Sequence, residues 1–174
     1  MSFNVSDFRQ KMSGDGARPN LFEVEIPNNA PFNFTGNDQF KFFCRATSIP
    51  GSTIGTAIVP YFGREVKFAG NRTFADWTVT VVNDEDFKYR DNFEDWMQGI
   101  NSHVANKRFT GGTGYGVTAK VKQYGKVNAA TPIRTYEFVG VFPVDLSEIT
   151  LDWGDNDTIE EFTVTFAYQY WRVA

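Results

Sequence analysis

The sequence has very little of the chemistry that small enzymes and metal sites use. Among its 174 residues there is one cysteine, Cys44, and one histidine, His103. A single cysteine excludes an internal disulfide, and one Cys with one His excludes a self-contained zinc site of the usual type. A catalytic histidine needs a nucleophile and an orienting acid, and no motif signals either one. We therefore expect no catalytic residue, no metal and no cofactor.

Long apolar runs and an excess of positive charge are also missing. No stretch approaches the roughly 20 apolar residues that a membrane-spanning helix requires, and the start, MSFNVSDFRQKMSG, lacks the pattern of a secretory signal. The 17 basic and 21 acidic residues give a net charge of −4, whereas a surface that grips nucleic acid needs clustered Lys and Arg. We expect a protein made in a reducing cytoplasm, with no membrane partner.

Two segments superficially resemble ligand-binding loops. GGTGYG at 111–116 lacks the Gly-Lys-Ser/Thr ending of a phosphate-binding loop and does not open a helix. DWGDND at 152–157 has no Gly at the sixth position from Asp152 or Asp155, where a twelve-residue calcium loop requires one. We interpret the first as a flexible loop or turn. The second is interpreted as a hairpin turn, with an opportunistic ion as the alternative.

Strand patterns are abundant, together with 18 Phe residues. DWTVTVVND at 76–84 and EEFTVTFAYQYW at 160–171 alternate apolar or aromatic residues with Thr. This alternation gives a strand one apolar face and one hydroxylated face. The other segments with strand patterns are 21–26, 40–47, 64–69, 115–124 and 133–142.

One helix is clearly indicated, over about 87–104, and a shorter one could begin at Asn4 or Ser6. In the longer helix apolar residues recur at three- and four-residue steps, which makes one face apolar. The residues expected to fix this face onto the outer side of the β-structure are Phe93, Trp96, Met97 and Ile100. Together the patterns predict one domain over 1–174, mainly β: an antiparallel β-barrel or sandwich of about seven strands with one packed α-helix.

The segment at 48–63, SIPGSTIGTAIVPYFG, is unusually apolar for a connection. Its Gly and Pro residues interrupt it too often for a central strand, so we interpret it as a loop. A concentrated apolar patch usually marks an interface. The residues expected to form this interface are Ile49, Pro50, Ile54, Ile58, Val59, Tyr61 and Phe62.

Several long segments resemble the tail tube proteins of contractile-tailed bacteriophages. They are GDGARPNLFEVEI (14–26), CRATSIPG (44–51), KFAGNRTFADWTVTVVNDED (67–86) and LDWGDNDTIEEFTVTFAYQYW (151–171). The resemblance runs in order from about residue 14 to 172. It departs at NNAPFNFTGND (28–38) and around 101–118, both of which we interpret as loops.

The resemblance implies a structural virion protein and not an enzyme. In that family six copies form a ring, and stacked rings form the hollow inner tube of a contractile tail. The tube conducts the tape-measure protein and then DNA, which passes without specific binding. The implied fold is similar to that of the haemolysin-coregulated protein of type VI secretion. The implied partners are further copies of the chain, the tail sheath protein and the baseplate, and assembly would take place in the cytoplasm of the bacterial host.

The resemblance also implies that four strands of each subunit line the bore. We place them at about 40–47, 64–69, 116–124 and 133–142. The charged residues expected to face the lumen are Lys41, Arg45, Glu65, Lys67, Lys120, Lys122 and Glu137. The family resemblance suggests an acidic lumen, and these five basic and two acidic residues conflict with it. Either some bases turn outward, or they pair with acids across subunit boundaries, and we favour pairing.

Three other functions remain open. A tube initiator or terminator protein would share the fold. A monomeric small-ligand-binding β-barrel would have an apolar internal pocket. A hydrolase that uses Asp and Glu pairs on strands would need two carboxylates that converge in a cleft. Hollow tubes or six-fold rings in electron micrographs of the purified protein would favour the tail tube.

Overall fold

The computed structural model describes residues 4–12, 16–27, 37–107, 114–126 and 130–174. The helices in these ranges are α1 (Val5–Lys11), α2 (Asn37–Phe43) and α3 (Lys88–Ile100). The strands are β1 (Phe22–Glu25), β2 (Cys44–Thr47), β3 (Ser52–Tyr61), β4 (Arg64–Phe74), β5 (Trp77–Val82), β6 (Val117–Tyr124), β7 (Pro132–Leu146), β8 (Glu161–Ala167) and β9 (Tyr170–Val173). The predicted turn at 28–38 and loop at 110–116 lie largely outside the described residues.

Seven strands form one antiparallel sheet in the order β1-β6-β7-β8-β5-β2, with β9 also paired to β7. β7 is 15 residues long. β8 and β9 follow one another along the same edge of β7, with β9 against its first half and β8 against its second half. The mainly β, antiparallel prediction is confirmed. The described ranges hold nine strands where about seven were expected, because the 158–172 pattern is divided in two and 48–63 contains a strand.

A bulge in β7 lets both halves of this strand contribute to the core. On β6 the buried residues Val117 and Ala119 are two positions apart. Their partners on β7, Val141 and Phe138, are three positions apart, so β7 contains one extra residue. Gly140 lies in this bulge, between Phe138 and Val141, and has a φ of 71°. A Cβ atom at this position would lie 3.0 Å from the side chain of Gln169. Glycine is suited to this position because it adopts positive φ without a steric penalty.

Aromatic side chains fill the space enclosed by the sheet and the helices. The Trp77 indole stacks on the Phe138 ring at 4.5 Å between centroids, and its Nε1 donates a hydrogen bond to Thr47 Oγ1 at 2.8 Å. The hydrogen bond satisfies the one polar group that this buried side chain carries. Other residues of the core are Val24, Phe40, Val79, Val81, Tyr89, Val121, Phe162, Val164 and Phe166.

Helix α3 packs its apolar face against the aromatic core. Phe93 is fully buried and makes edge contacts with the rings of Phe162 and Phe166. Trp96 is buried as well, and its Nε1 donates a hydrogen bond to the carbonyl oxygen of Tyr115 at 2.9 Å. Two further residues of the predicted face, Met97 and Ile100, are half-buried. None of the helices in the described ranges is both long and apolar enough to cross a membrane.

The 48–63 segment is not the loop that we expected. Its residues 52–61 form β3, which pairs with β4 in a two-stranded sheet of their own. In the described ranges β3 and β4 pair only with each other, so the outer edge of each strand is open. Pro60, which has no backbone N–H, is tolerated in such an edge strand, and the bulge beside Gly55 interrupts the pairing with one neighbouring strand only.

Two of the four strands that we placed around a bore therefore differ from the structure. Residues 64–69 belong to the β3–β4 ribbon and not to the sheet that contains 116–124 and 133–142. Residues 40–43 are the last turn of α2, so only 44–47 of the predicted 40–47 strand are extended. Phe40 is a core residue that belongs to helix α2 and not to a strand. The centroid of its ring lies 5.5 Å from that of Tyr89.

Truncation of Trp96 tests the packing of α3. Trp96→Ala removes the indole from the core together with its hydrogen bond. We expect the free energy of unfolding to fall by about 3–5 kcal/mol. Gln98→Ala, at an exposed position of the same helix, is the matched control and should change stability by less than about 0.5 kcal/mol. Urea unfolding of the unassembled protein, followed by circular dichroism, measures both, and equal stabilities would show that the face does not pack as described.

Candidate functional site

One face of β1, β6, β7 and β9 carries a ladder of opposite charges. The register places Glu23 opposite Lys122, and Lys120 lies between Glu25 on one side and Glu137 on the other. The residues that alternate with them, such as Val24, Val121 and Phe138, point into the core. Period-two alternation therefore directs the charged side chains to the opposite, water-facing side. We call this surface the charged face.

The charges on this face are paired within one subunit. Lys120 Nζ lies 3.2 Å from Glu137 Oε1, and Arg172 Nη2 on β9 lies 2.9 Å from Glu137 Oε2. Lys122 forms an ion pair with Glu25. Lys41 reaches the face from α2, and its Nζ lies 3.5 Å from Glu23 Oε1. The face holds four bases (Lys41, Lys120, Lys122 and Arg172) and three acids (Glu23, Glu25 and Glu137), so it is close to neutral.

The pKa shifts of Glu137 and Tyr124 are consistent with this pairing of charges. Hydrogen bonds from Arg172 and Lys120 lower the pKa of the Glu137 carboxyl, which keeps it ionised. Tyr124 OH donates a hydrogen bond to Glu23 Oε2 at 2.6 Å. That bond, together with burial and the charges of Glu23 and Glu25, raises the pKa of Tyr124 to about 12, so the phenol stays neutral. At neutral pH the charged face is thus a set of compensated charges.

The structure brings together four of the seven residues that we expected to face a lumen: Lys41, Lys120, Lys122 and Glu137. Arg45 lies on β2 and pairs with Glu161 on β8, away from the charged face. Glu65 and Lys67 lie on β4, opposite Pro60 and Ile58 in the separate ribbon.

Three members of the charged face were missed from the sequence: Glu23, Glu25 and Arg172. The alternation of LFEVEI places both of the acids on one side of β1, and this was the signal that could have found them.

The β3–β4 ribbon, residues 52–74, exposes its apolar side chains to solvent. The register puts Ala57 opposite Phe68 and Val59 opposite Val66, which makes one side of the ribbon mainly apolar. Six of the seven predicted contact residues are exposed: Ile49, Ile54, Ile58, Val59, Tyr61 and Phe62. The seventh, Pro50, is buried at the base of the ribbon, so it cannot present a surface in the way that we expected.

The tip of the ribbon is a two-residue turn with an aromatic residue in a costly conformation. Phe62 has a φ of 45° and Gly63 a φ of 80°, as a tight hairpin turn of the primed type requires. Asn is the usual residue before Gly in such turns, because a bulky side chain at positive φ is strained. The Phe62 side chain is nevertheless 91% exposed, so the core of its own subunit gains nothing from it.

The two residues with conventional catalytic chemistry do not form a site. Burial raises the pKa of the Cys44 thiol to about 12, so the nucleophilic thiolate is scarce. His103 is exposed in the turn after α3. In the described part of the chain, no three His, Cys, Asp or Glu side chains are grouped as a metal ion would require.

Comparison with known proteins assigns the fold to a class. In a solved sheath–tube complex of an extracellular contractile injection system, a chain shares this fold with a TM-score of 0.61 and 15% identity, over 99% of both chains. A type six secretion system protein shares it with a TM-score of 0.51 and 12% identity, over 88% of this chain and 82% of that one. The fold is therefore a mainly antiparallel β fold shared with chains of contractile injection and type six secretion systems, as the resemblance implied.

Sequence relatives give the family. The model for "Phage tail tube protein" matches residues 17–174. The tail tube protein gp19 of Enterobacteria phage T4 is 42% identical over 162 residues, which cover 92% of this chain and 93% of that protein. The chain belongs to the phage tail tube protein family. The predicted structural class is thereby confirmed, and a lipocalin-type binding protein and a hydrolase are not supported.

The burial of Cys44 leads to a chemical prediction. Since its pKa is about 12, the folded protein at pH 8 should react with a thiolate-specific reagent on the order of a thousandfold more slowly than the urea-unfolded protein. A Gln98→Cys variant in a Cys44→Ala background places the thiol on the exposed side of α3 and should react rapidly when folded. Rapid, stoichiometric labelling of the folded native chain would show that Cys44 is accessible.

Proposed function

We propose that six copies of this chain form a ring and that rings stack into the hollow inner tube of a contractile phage tail. The tube is non-enzymatic and conducts the tape-measure protein and DNA. It lies inside the tail sheath and joins the baseplate, and it is assembled in the bacterial cytoplasm. Membership of the tail tube family supports this function, and the high identity to a tail tube protein favours the tube over an initiator or terminator.

The observation that carries the proposal is the charged face. A conduit for DNA needs a wall that stays wetted and does not hold phosphates. Fixed unpaired cations would bind DNA by releasing its counterions, whereas cations already paired with carboxylates have much less to gain. The charged face meets both conditions, because its bases are paired and its reverse side forms the core. We assign the charged face, Lys41, Lys120, Lys122, Glu137, Glu23, Glu25 and Arg172, to the lumen wall.

The sheet that carries this face has open edges. In the described ranges β1 pairs only with β6 and β9 only with β7, so each presents one unpaired row of backbone groups. Exposed edges are a hazard for a single chain and a means of association for a ring. Pairing of these edges between neighbouring subunits would join the sheets around a common axis. The ribbon would then reach a neighbouring subunit through Ile54, Tyr61 and Phe62.

The apolar ribbon should be required for assembly. We expect the purified wild-type protein to form hollow tubes or six-fold rings in electron micrographs. Ile54→Asp combined with Tyr61→Asp places charges in the proposed contact and should abolish them. Val104→Asp, at an exposed apolar position outside the ribbon, is the control and should assemble normally. Tubes of unchanged length and abundance from the ribbon variant would count against a role of the ribbon in assembly.

The paired charges of the lumen should prevent DNA retention. Wild-type tubes should release duplex DNA at about 0.15 M salt. Glu25→Gln combined with Glu137→Gln removes the partners of Lys122, Lys120 and Arg172, so the variant tubes should retain DNA in a salt-sensitive manner. Glu85→Gln with Asp86→Asn changes charge by the same amount before α3 and should behave as the wild type. Salt-sensitive retention of DNA inside wild-type tubes would show that the lumen cations are unpaired.

A further inference from the structure

A groove lies between the end of β7 and the start of β8. Residues 147–160 connect the two strands and border a cavity of about 500 Å³. Its walls include Leu151, Trp153 and Ile159. Leu151 is 82% exposed and Trp153 is fully exposed, so neither side chain contributes to the core. Three large apolar side chains on one exposed loop indicate an interaction surface. We call this surface the groove.

Two side-chain hydrogen bonds help to shape the groove, and its charged side chains are mainly acidic. Asp152 Oδ1 accepts a hydrogen bond from the backbone N–H of Gly154 at 2.9 Å, and Asn83 Nδ2 donates one to Glu160 Oε1 at 2.6 Å. No Lys or Arg occurs in the chain between Arg134 and Arg172. The one base that lines the groove, Arg45, is paired with Glu161. The acids around the groove are Glu148, Asp152, Asp155, Glu160 and Glu161.

The tip of the β3–β4 ribbon has the complementary chemistry. It presents Phe62 at its end, with the Tyr61 ring 4.7 Å away in an edge contact. The bases of the ribbon are Arg64, Lys67 and Arg72, and its one acid is Glu65. The aromatic pair Tyr61 and Phe62 therefore lies on a ribbon whose net charge is positive. The groove, which carries Leu151, Trp153 and Ile159 and a negative excess, lies on another surface of the chain.

The base of the ribbon and the groove lie at opposite ends of the β5–β8 pair. At one end of the β5–β8 pair, Trp77 lies opposite Phe166, and the ribbon begins just before Trp77. At the other end Val82 lies opposite Glu161, and the groove begins there. The six residues of β5 separate the two ends by about 20 Å. A contact that joins two different surfaces of identical chains is head-to-tail. Each added copy leaves one of the two surfaces free, so further copies can add and form an open stack.

We propose that the groove receives the ribbon tip of a second copy of this chain, in the adjacent ring of the stack. The proposal rests on the function given above and deepens it by naming the receptor of the ribbon. Phe62 packs against Leu151, Trp153 and Ile159. Arg64 and Lys67, which lie on the two sides of the ribbon, each face acids of the groove. A second copy is favoured over another partner because the chain itself carries both complementary surfaces, at the two ends that stacking brings together.

Charge reversal with rescue tests the contact. In one variant Arg64→Glu is combined with Lys67→Glu on the ribbon, and in the other Asp152→Lys is combined with Asp155→Lys at the groove. Each variant alone places like charges in the contact and should reduce pelletable tubes at least about tenfold. An equimolar mixture of the two should assemble, because every head-to-tail contact can then join opposite charges. A chain that carries all four changes should also assemble.

Trp153 provides a second readout in the wild-type protein. Trp77 and Trp96 are buried and Trp171 is half-buried, so iodide quenching of the unassembled protein should report mainly on Trp153. Assembly should protect Trp153 from iodide, so the quenching of fluorescence should decrease in tubes. In a Trp153→Phe variant this assembly-dependent part of the quenching should be absent. Quenching of Trp153 that is equal before and after assembly would overturn the proposal.

The outcomes separate this inference from the function on which it rests. If wild-type protein forms tubes and the groove variant assembles as the wild type does, the ribbon binds elsewhere; the groove assignment is wrong and the tube function stands. If both variants fail and neither the mixture nor the fourfold variant assembles, the two surfaces do not face one another. If the wild type forms neither rings nor tubes, the proposed function and this inference both fail.

Discussion

The extra residue in β7 determines which side chains of the central strand face the core and which face water. Without the step at Gly140, the period-two alternation that buries Phe138 would send Val141 to the opposite side. With it, the first half of β7 buries Phe138 and directs Glu137 outward, while the second half continues the core beside β8. The charged face and the aromatic core are thus two consequences of one backbone irregularity.

The charged face, the ribbon and the groove each fit one requirement of a tube. A wall beside DNA needs polar side chains whose charges are already compensated, and the Lys120–Glu137–Arg172 cluster has that property. Closure of a ring requires open sheet edges, and stacking requires unlike surfaces at opposite ends of the subunit. Phe62 is instructive because a bulky residue at positive φ strains its own turn. A contact with a second copy gives that strained residue a role that its own fold does not supply.

Much of the fold could be predicted because periodicity records local burial directly. The three- and four-residue spacing around Phe93 located α3, and alternation located β5, β6 and β8. The ribbon was misjudged because Gly55 and Pro60 are signs of a loop in any strand that has two neighbours, and the sequence does not show that these strands have only one. The acidic partners of Lys120 and Lys122 on β1 were missed for a related reason. The alternation in LFEVEI places Glu23 and Glu25 on one side of β1, but the pairing of β1 with β6 depends on sheet order, which no local pattern encodes.

The central claim is that the charged face lines the bore of a six-fold tube. Cryo-electron microscopy of tubes assembled from the purified protein tests it most directly, since side-chain density shows which face of each subunit points to the axis. The account predicts that Lys120, Lys122, Glu137 and Arg172 surround the lumen, with α3 on the outer side of the wall. A reconstruction in which these side chains point to the outer surface, or lie buried between subunits, would contradict it.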